Sequence, residues 1–268
     1  MENETELVRP VVRVGNSAGI ILPKKWLNNR AKVVLIPEKI GDISHNIIKI
    51  LDENNLLKSV LGIYLSGSYA RGEQRWDSDI DILVISSNIN KQIKIDDYDI
   101  LIIPEKELKE ALENQILPIL PMLKESKVIL NEELIKEYTS TSLTRKNLKW
   151  HIETTKSALE INKKDIEISR EMGIKNIGDA NVYSLILRLR EAYIVDSLIK
   201  NKPWSNKKLI SLIKKICSSE LIYKRYLEVK KDKKEIKYVV PMEDGIKLIE
   251  YIGKKIREQE KWLKGRKD

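Results

Sequence analysis

The segment that decides the fold reads Leu65-Ser66-Gly67-Ser68-Tyr69-Ala70-Arg71-Gly72, then Asp77-Ser78-Asp79-Ile80-Asp81-Ile82-Leu83-Val84, then Asp97-Tyr98-Asp99-Ile100-Leu101-Ile102. Each piece has a local reading. The apolar run 60–65 ends on a glycine-serine bend, so a strand feeds a tight turn. A short turn at 70–74 precedes a second strand at 80–85. A third strand is expected over 95–103, where Pro104 ends it. Asp79 and Asp81 stand two apart, and strand periodicity puts them on one face.

Two carboxylates on one strand face repel each other and are costly unless a cation neutralises them. Hard oxygen ligands suit Mg2+, which takes one or two carboxylates and completes its shell with phosphates and water. Asp99 opens the apolar run of the next strand and is the preferred third carboxylate. Asp97 shares its face and stays open as an alternative. Gly67 permits the bend, and the N–H groups of Gly67 and Ser68, with the Ser68 hydroxyl, can hold a terminal phosphate. Three carboxylates opposite such a cradle suit a two-metal in-line displacement.

The rest of the chain bounds this reading. It has 268 residues, 42 % hydrophobic and 33 % charged, with a formal net charge of +9. That is enough apolar material for a core and allows two or three modules. No window approaches the ~18 apolar residues that a membrane span needs. The start Met1-Glu2-Asn3-Glu4-Thr5-Glu6 is acidic and polar, unlike a signal peptide, and the expected setting is cytoplasmic. One cysteine, Cys217, and two distant histidines, His45 and His151, argue against a disulfide or a Cys/His metal cluster. Residues 1–140 carry 18 basic against 22 acidic side chains, residues 141–268 carry 31 against 18. The second half is either the footprint for a polyanion or a solvated helical surface.

Gly-Ser-x-Ala-Arg-Gly, ten residues between Ser68 and Asp79, and then Asp-x-Asp in an apolar strand resemble the nucleotidyltransferases of the DNA polymerase beta superfamily. The nearest subgroup is the small enzymes similar to kanamycin nucleotidyltransferase, and the resemblance covers roughly residues 44–125. It implies that Gly67 and Ser68 bind nucleotide phosphates, with Arg71 touching phosphate or lying on the surface as a helix-start residue. It implies that Asp79, Asp81 and Asp99 ligate two Mg2+ ions, Asp99 also helping to deprotonate an acceptor hydroxyl. Trp76 either stacks on a base or packs.

Arg13-Val14-Gly15-Asn16-Ser17-Ala18-Gly19-Ile20-Ile21-Leu22-Pro23-Lys24 resembles the AbrB/MazE-type swapped-hairpin DNA-binding domain, over residues 8–37. Some 30 residues of strand cannot bury a core alone. The resemblance implies a homodimer, with Arg13, Lys24 and Lys25 on phosphates and Asn16 at a base edge. A hairpin that serves dimerisation alone is the alternative. Strands are expected at 8–14, 19–22 and 31–36, with a helical turn at 24–27.

Helices are expected at 43–57, 105–114, 143–168, 181–200, 205–216 and 243–263, and a strand or linker at 116–121. Arg188 and Glu191 share a helix face and either look into an acceptor cleft or form an ion pair inside the bundle. His151 and Cys217 read as packing residues. The expected architecture is α+β: a swapped hairpin at 1–40, a nucleotidyltransferase domain with a mixed sheet at 41–130, and a helical acceptor-binding bundle at 131–268. The expected activity is Mg2+-dependent transfer of a nucleoside monophosphate from an NTP, ATP by preference, to a hydroxyl with release of pyrophosphate. The competing reading is a DNA-binding regulator of the toxin–antitoxin type whose nucleotidyltransferase fold senses nucleotide or is inactive.

Overall fold

The structure is a computed structural model that describes residues 6–34, 36, 38–75, 78–233 and 237–265. Trp76 and Asp77 lie outside the described residues. The chain divides into two compact units, residues 1–38 and 39–268.

The first unit is a hairpin of β1 (Val11–Val14) and β2 (Ser17–Ile20), paired antiparallel with Val14 opposite Ser17. The two-residue turn Gly15-Asn16 makes that register possible, because Gly15 sits at φ +60°. A single 3-10 turn follows at Lys24–Trp26. The strand expected at 31–36 does not form over 31–34. Within this unit the residues have no sheet to pair with beyond the hairpin. Their apolar side chains stay in solvent, Ile21 at 72 % exposure and Val8 at 69 %.

The second unit begins with α1 (Ile40–Glu53), whose Ile43, Ile47 and Leu51 recur at helical spacing and are fully buried. It starts and ends earlier than the expected 43–57, and inside it the Ser44 hydroxyl donates to the Ile40 carbonyl. Then come β3 (Val60–Leu65), the single-turn α2 (Gly67–Arg71), β4 (Ile80–Ser86), β5 (Lys91–Ile95) and β6 (Tyr98–Pro104). Next are α3 (Glu105–Asn114), α4 (Ile119–Glu125) and β7 (Lys127–Leu130). The chain finishes with α5 (Glu132–Thr139), α6 (Arg145–Glu171), α7 (Asp179–Ile199), α8 (Asn206–Cys217), α9 (Leu221–Lys230) and α10 (Met242–Lys264). The sheet order is β5-β6-β4-β3-β7, with β4 and β6 parallel and the other pairs antiparallel.

Two expectations are corrected here. Residues 95–103 are not one strand: Asp96-Asp97 turns the chain, with Asp96 at φ +50°, and β5 pairs back on β6. Asp tolerates that left-handed position better than most residues. Residues 116–121 enter a helix instead of a strand, because Pro118 and Pro121 lie at its N-cap and first turn, where no N–H is required. Helix α9 was not expected at all.

Alternation along β4 sorts the core. Ile80, Ile82 and Val84 pack with α1 on one face of the sheet. Leu83 and Ile85 face the other way, into a core shared with α3 to α10. Asp81 therefore points to the helical side. Among the described residues no helix is long and apolar enough to cross a membrane.

Ile82 is fully buried, while Ile48 on α1 is 48 % exposed. Ile82→Ala is expected to cost about 2–4 kcal/mol in urea unfolding and Ile48→Ala less than about 0.5 kcal/mol.

Candidate active site

The site forms where β3 ends. Ser66 is fully buried, and both its N–H (2.8 Å) and its hydroxyl (3.2 Å) donate to the Asp81 carbonyl. This locks the bend to the start of β4. Gly67 then turns at φ +67°, a region that favours glycine. A methyl group there would overlap the Asp81 carboxylate. The carboxylate thus lies against the bend itself, and Ser68 follows, half-buried, in the turn of α2.

Asp81 and Asp99 are register partners across the parallel strands β4 and β6. In a parallel pair such partners point to the same face. Asp79 stands exposed two residues before Asp81. Burial pushes the Asp81 carboxyl above its ordinary range, and the charges of Asp99 and Asp79 push it further, against Arg71 and Lys230. Asp97 lies in the exposed β5–β6 turn. The Asp99 carboxylate accepts from Gln92 Nε2 at 2.6 Å and Lys94 Nζ at 2.8 Å. Burial works to raise its pKa, but these two hydrogen bonds outweigh burial and hold it below the ordinary range.

Among the described residues no three His, Cys, Asp or Glu side chains stand close enough together to hold a metal ion. Asp99 is drawn toward β5 by Lys94 and Gln92. The donor set nevertheless fits a hard divalent cation. It offers carboxylate oxygens in register on adjacent strands, and Asp81 is left with repulsion that a cation would relieve.

Arg71 is not on the surface. Its side chain is 9 % exposed, with Nε donating to Glu73 at 3.0 Å and Nη1 to Glu125 at 2.7 Å. Its guanidinium carbon lies 4.0 Å from the ring centre of Trp204, which Arg190 of α7 approaches at 5.2 Å. Glu73 in turn accepts from the N–H groups of Asn206 (3.1 Å) and Lys207 (3.4 Å) at the start of α8. Burial opposes the Glu73 charge, but those N–H groups, Arg71 and Ser205 lower its pKa overall. Glu125 also accepts from the Gly67 N–H at 2.9 Å.

The helical half meets the bend through Arg190, Trp204 and the α8 N-terminus. Arg188 and Glu191 belong to a different face of α7. They pair with each other at 2.8 Å, and Arg188 also reaches Thr154 of α6. Buried His151 lies 3.6 Å from Glu191 and 3.2 Å from Gln259. Of the two readings of Arg188 and Glu191, the bundle-internal ion pair is the one observed. Cys217 is buried, and burial pushes its thiol up to about 12. In the hairpin unit Arg13, Asn16, Lys24 and Lys25 are all exposed, with Arg13 Nε on the Gly15 carbonyl at 3.1 Å.

Residues 45–171 match the family model described as "Nucleotidyltransferase domain". No curated protein matches the chain in sequence. Among solved structures it is similar to a nucleotidyltransferase-like protein from Exiguobacterium sibiricum, with 11 % identity, 81 % of this chain and 75 % of that one covered, and a TM-score of 0.36. It is also similar to a spectinomycin adenyltransferase from Enterococcus faecialis, solved with ATP and spectinomycin, with 16 % identity, 81 % and 99 % covered, and a TM-score of 0.40.

Because the folded state raises the Asp81 pKa, ionising Asp81 destabilises the fold. That cost is present at neutral pH and disappears in acid, below the pKa of the unfolded chain. Asp81→Asn is expected to raise the Tm of the metal-free protein at pH 7. The gain should shrink toward pH 4, as scanning calorimetry will show.

Proposed function

We propose that the chain is a Mg2+-dependent enzyme that moves a nucleoside monophosphate from an NTP, ATP by preference, to a hydroxyl acceptor and releases pyrophosphate. The observation that carries this reading is the Asp81 carboxylate, which lies against the Gly67 bend and in register with Asp99. Asp79, Asp81 and Asp99 would hold two Mg2+ ions. When bound, the ions supply charge neutralisation for the triphosphate and lower the pKa of the attacking hydroxyl.

The chain's own residues do the rest. The Gly67 and Ser68 N–H groups, with the Ser68 hydroxyl, orient the phosphates opposite the carboxylates. The acceptor oxygen attacks the α-phosphorus, the bond to the pyrophosphate oxygen breaks, and the hydroxyl proton passes to an Asp99 carboxylate oxygen. Gln92 and Lys94 keep Asp99 ionised and therefore ready to accept it. Lys230, whose charge acts on Asp81, adds positive potential on the helical side. Acceptors compatible with this chemistry are a small-molecule alcohol, a protein side chain or an RNA end.

Incubation with ATP labelled on the α-phosphate and Mg2+ should yield a labelled acceptor and free pyrophosphate. Asp81→Asn and Asp99→Asn should each lower the rate by at least ~100-fold. Wild-type protein that neither binds nor turns over any NTP would remove the assignment.

The N-terminal unit supports a second activity, because a two-stranded hairpin with its valines and isoleucines in solvent is marginal alone. We read it as an AbrB/MazE-like module that pairs with a second copy of the chain and offers Arg13, Asn16, Lys24 and Lys25 to DNA. Sedimentation should give a dimer that becomes a monomer when residues 1–38 are deleted. Mobility shifts on the DNA upstream of its own gene should weaken steeply with salt, and a dimer indifferent to the deletion or a salt-insensitive blank would refute the respective half.

A further inference from the structure

Glu125 closes α4 far from the bend in sequence, yet its carboxylate takes two donors at the bend. Oε1 accepts from the Gly67 N–H at 2.9 Å, and Oε2 accepts from Arg71 Nη1 at 2.7 Å. Its side chain is 10 % exposed. Arg71 does not need it for charge balance, because Glu73 already pairs with the same guanidinium and is anchored separately by the α8 N–H groups. Arg71 thus serves two carboxylates, and of the two only Glu125 also takes the Gly67 N–H, with the charge of Arg190 acting on it as well. A carboxylate held by a backbone N–H and a guanidinium has the donor set of a bound phosphate oxygen.

We propose that Glu125 is a built-in occupant of the phosphate position, which a nucleotide's phosphate must displace from the Gly67 N–H and Arg71 in order to bind. This rests on the reading that the Gly67 bend receives phosphate. Glu125 is therefore a gating residue, not a catalytic one. Burial pushes its carboxyl above the ordinary range in spite of Arg71, Gly67 and Arg190. The competition lowers the apparent affinity by the fraction of molecules in which the position is free. It also sets a selection: a cation-bound triphosphate brings enough further contacts to win the exchange, while inorganic phosphate does not.

The test is calorimetric titration of the full chain with ATP plus Mg2+, and separately with inorganic phosphate, for wild type, Glu125→Gln, Glu125→Ala and Glu73→Gln. Both Glu125 variants should bind ATP roughly five- to fiftyfold more tightly than wild type, and should bind inorganic phosphate measurably. Glu73→Gln should bind ATP no more tightly, because Glu73 pins Arg71 without touching Gly67. Equal or weaker ATP binding by the Glu125 variants, beside a wild type that binds, overturns the gate and leaves Glu125 a fixed partner of Arg71. So does loss of the circular-dichroism helix signal in both Glu125 variants, since an exchangeable side chain is not needed to hold the fold. If wild type and the folded variants all fail to bind ATP, the phosphate reading of the bend falls, and the gate with it.

Discussion

The structure turns on the contact between one glycine and one carboxylate. Gly67 leaves β3 at a positive φ, and the space where a side chain would stand is filled by Asp81. The approach is imposed by the sheet. Leu65 pairs with Ile82, Ser66 is bonded to the Asp81 carbonyl from two atoms, and the next residue has to turn within one position. A residue with a Cβ would meet both the backbone penalty and the overlap. The closeness has an electrostatic consequence. Asp81 is half-buried among Asp79 and Asp99, so the fold holds a carboxylate in a place where its charge is disfavoured. Such a local misfit is what a cation-binding site has before its cation arrives.

The helical half is tied to this contact through a few polar groups. Arg71 lies one turn beyond Gly67 and reaches Glu73, Glu125 and Trp204. Glu73 reaches the first N–H groups of α8, where the helix dipole favours a negative charge. Arg71 is near 90 % buried, and Glu73, itself anchored by the α8 N–H groups, is the carboxylate that ties its charge to the helical half. The clamp fixes where α7 and α8 sit relative to β4. It brings Arg190 beside Trp204 and the positive field of Lys230 onto Asp81.

What the sequence disclosed, and what it hid, follows from distance along the chain. Strand periodicity put Asp79 and Asp81 on one face; Asp81 lies in β4, while Asp79 stands one residue before that strand, and the bend was marked by one glycine between apolar and polar runs. Asp99 could be ranked above Asp97 because it directly precedes an apolar run, and the two residues now lie on a strand and in an exposed turn respectively. Strand β5 was missed because an edge strand buries one side: only Ile93 is buried among Lys91, Gln92 and Lys94, which reads as a loop. The partners of Arg71 were beyond reach for another reason. Glu125 is 54 positions away, and the Glu73–Asn206 bond spans 133. No periodicity or motif connects them, and only the packing of α4 and α8 against α2 does.

The hairpin at the N-terminus shows the same rule from the opposite side. Its turn chemistry is local: Gly15-Asn16 joins Val11–Val14 to Ser17–Ile20. Its third expected strand does not form over 31–34, where among the described residues of this unit no strand beyond the hairpin is present to pair with. A hairpin gains stability from the face it buries, and this one leaves Val11, Val14, Ile21 and Leu27 at half exposure or more. Local sequence therefore settles the turn while the burial that would justify the strands lies outside the unit. A second copy would relieve that imbalance, and the imbalance is independent of the carboxylates and the bend.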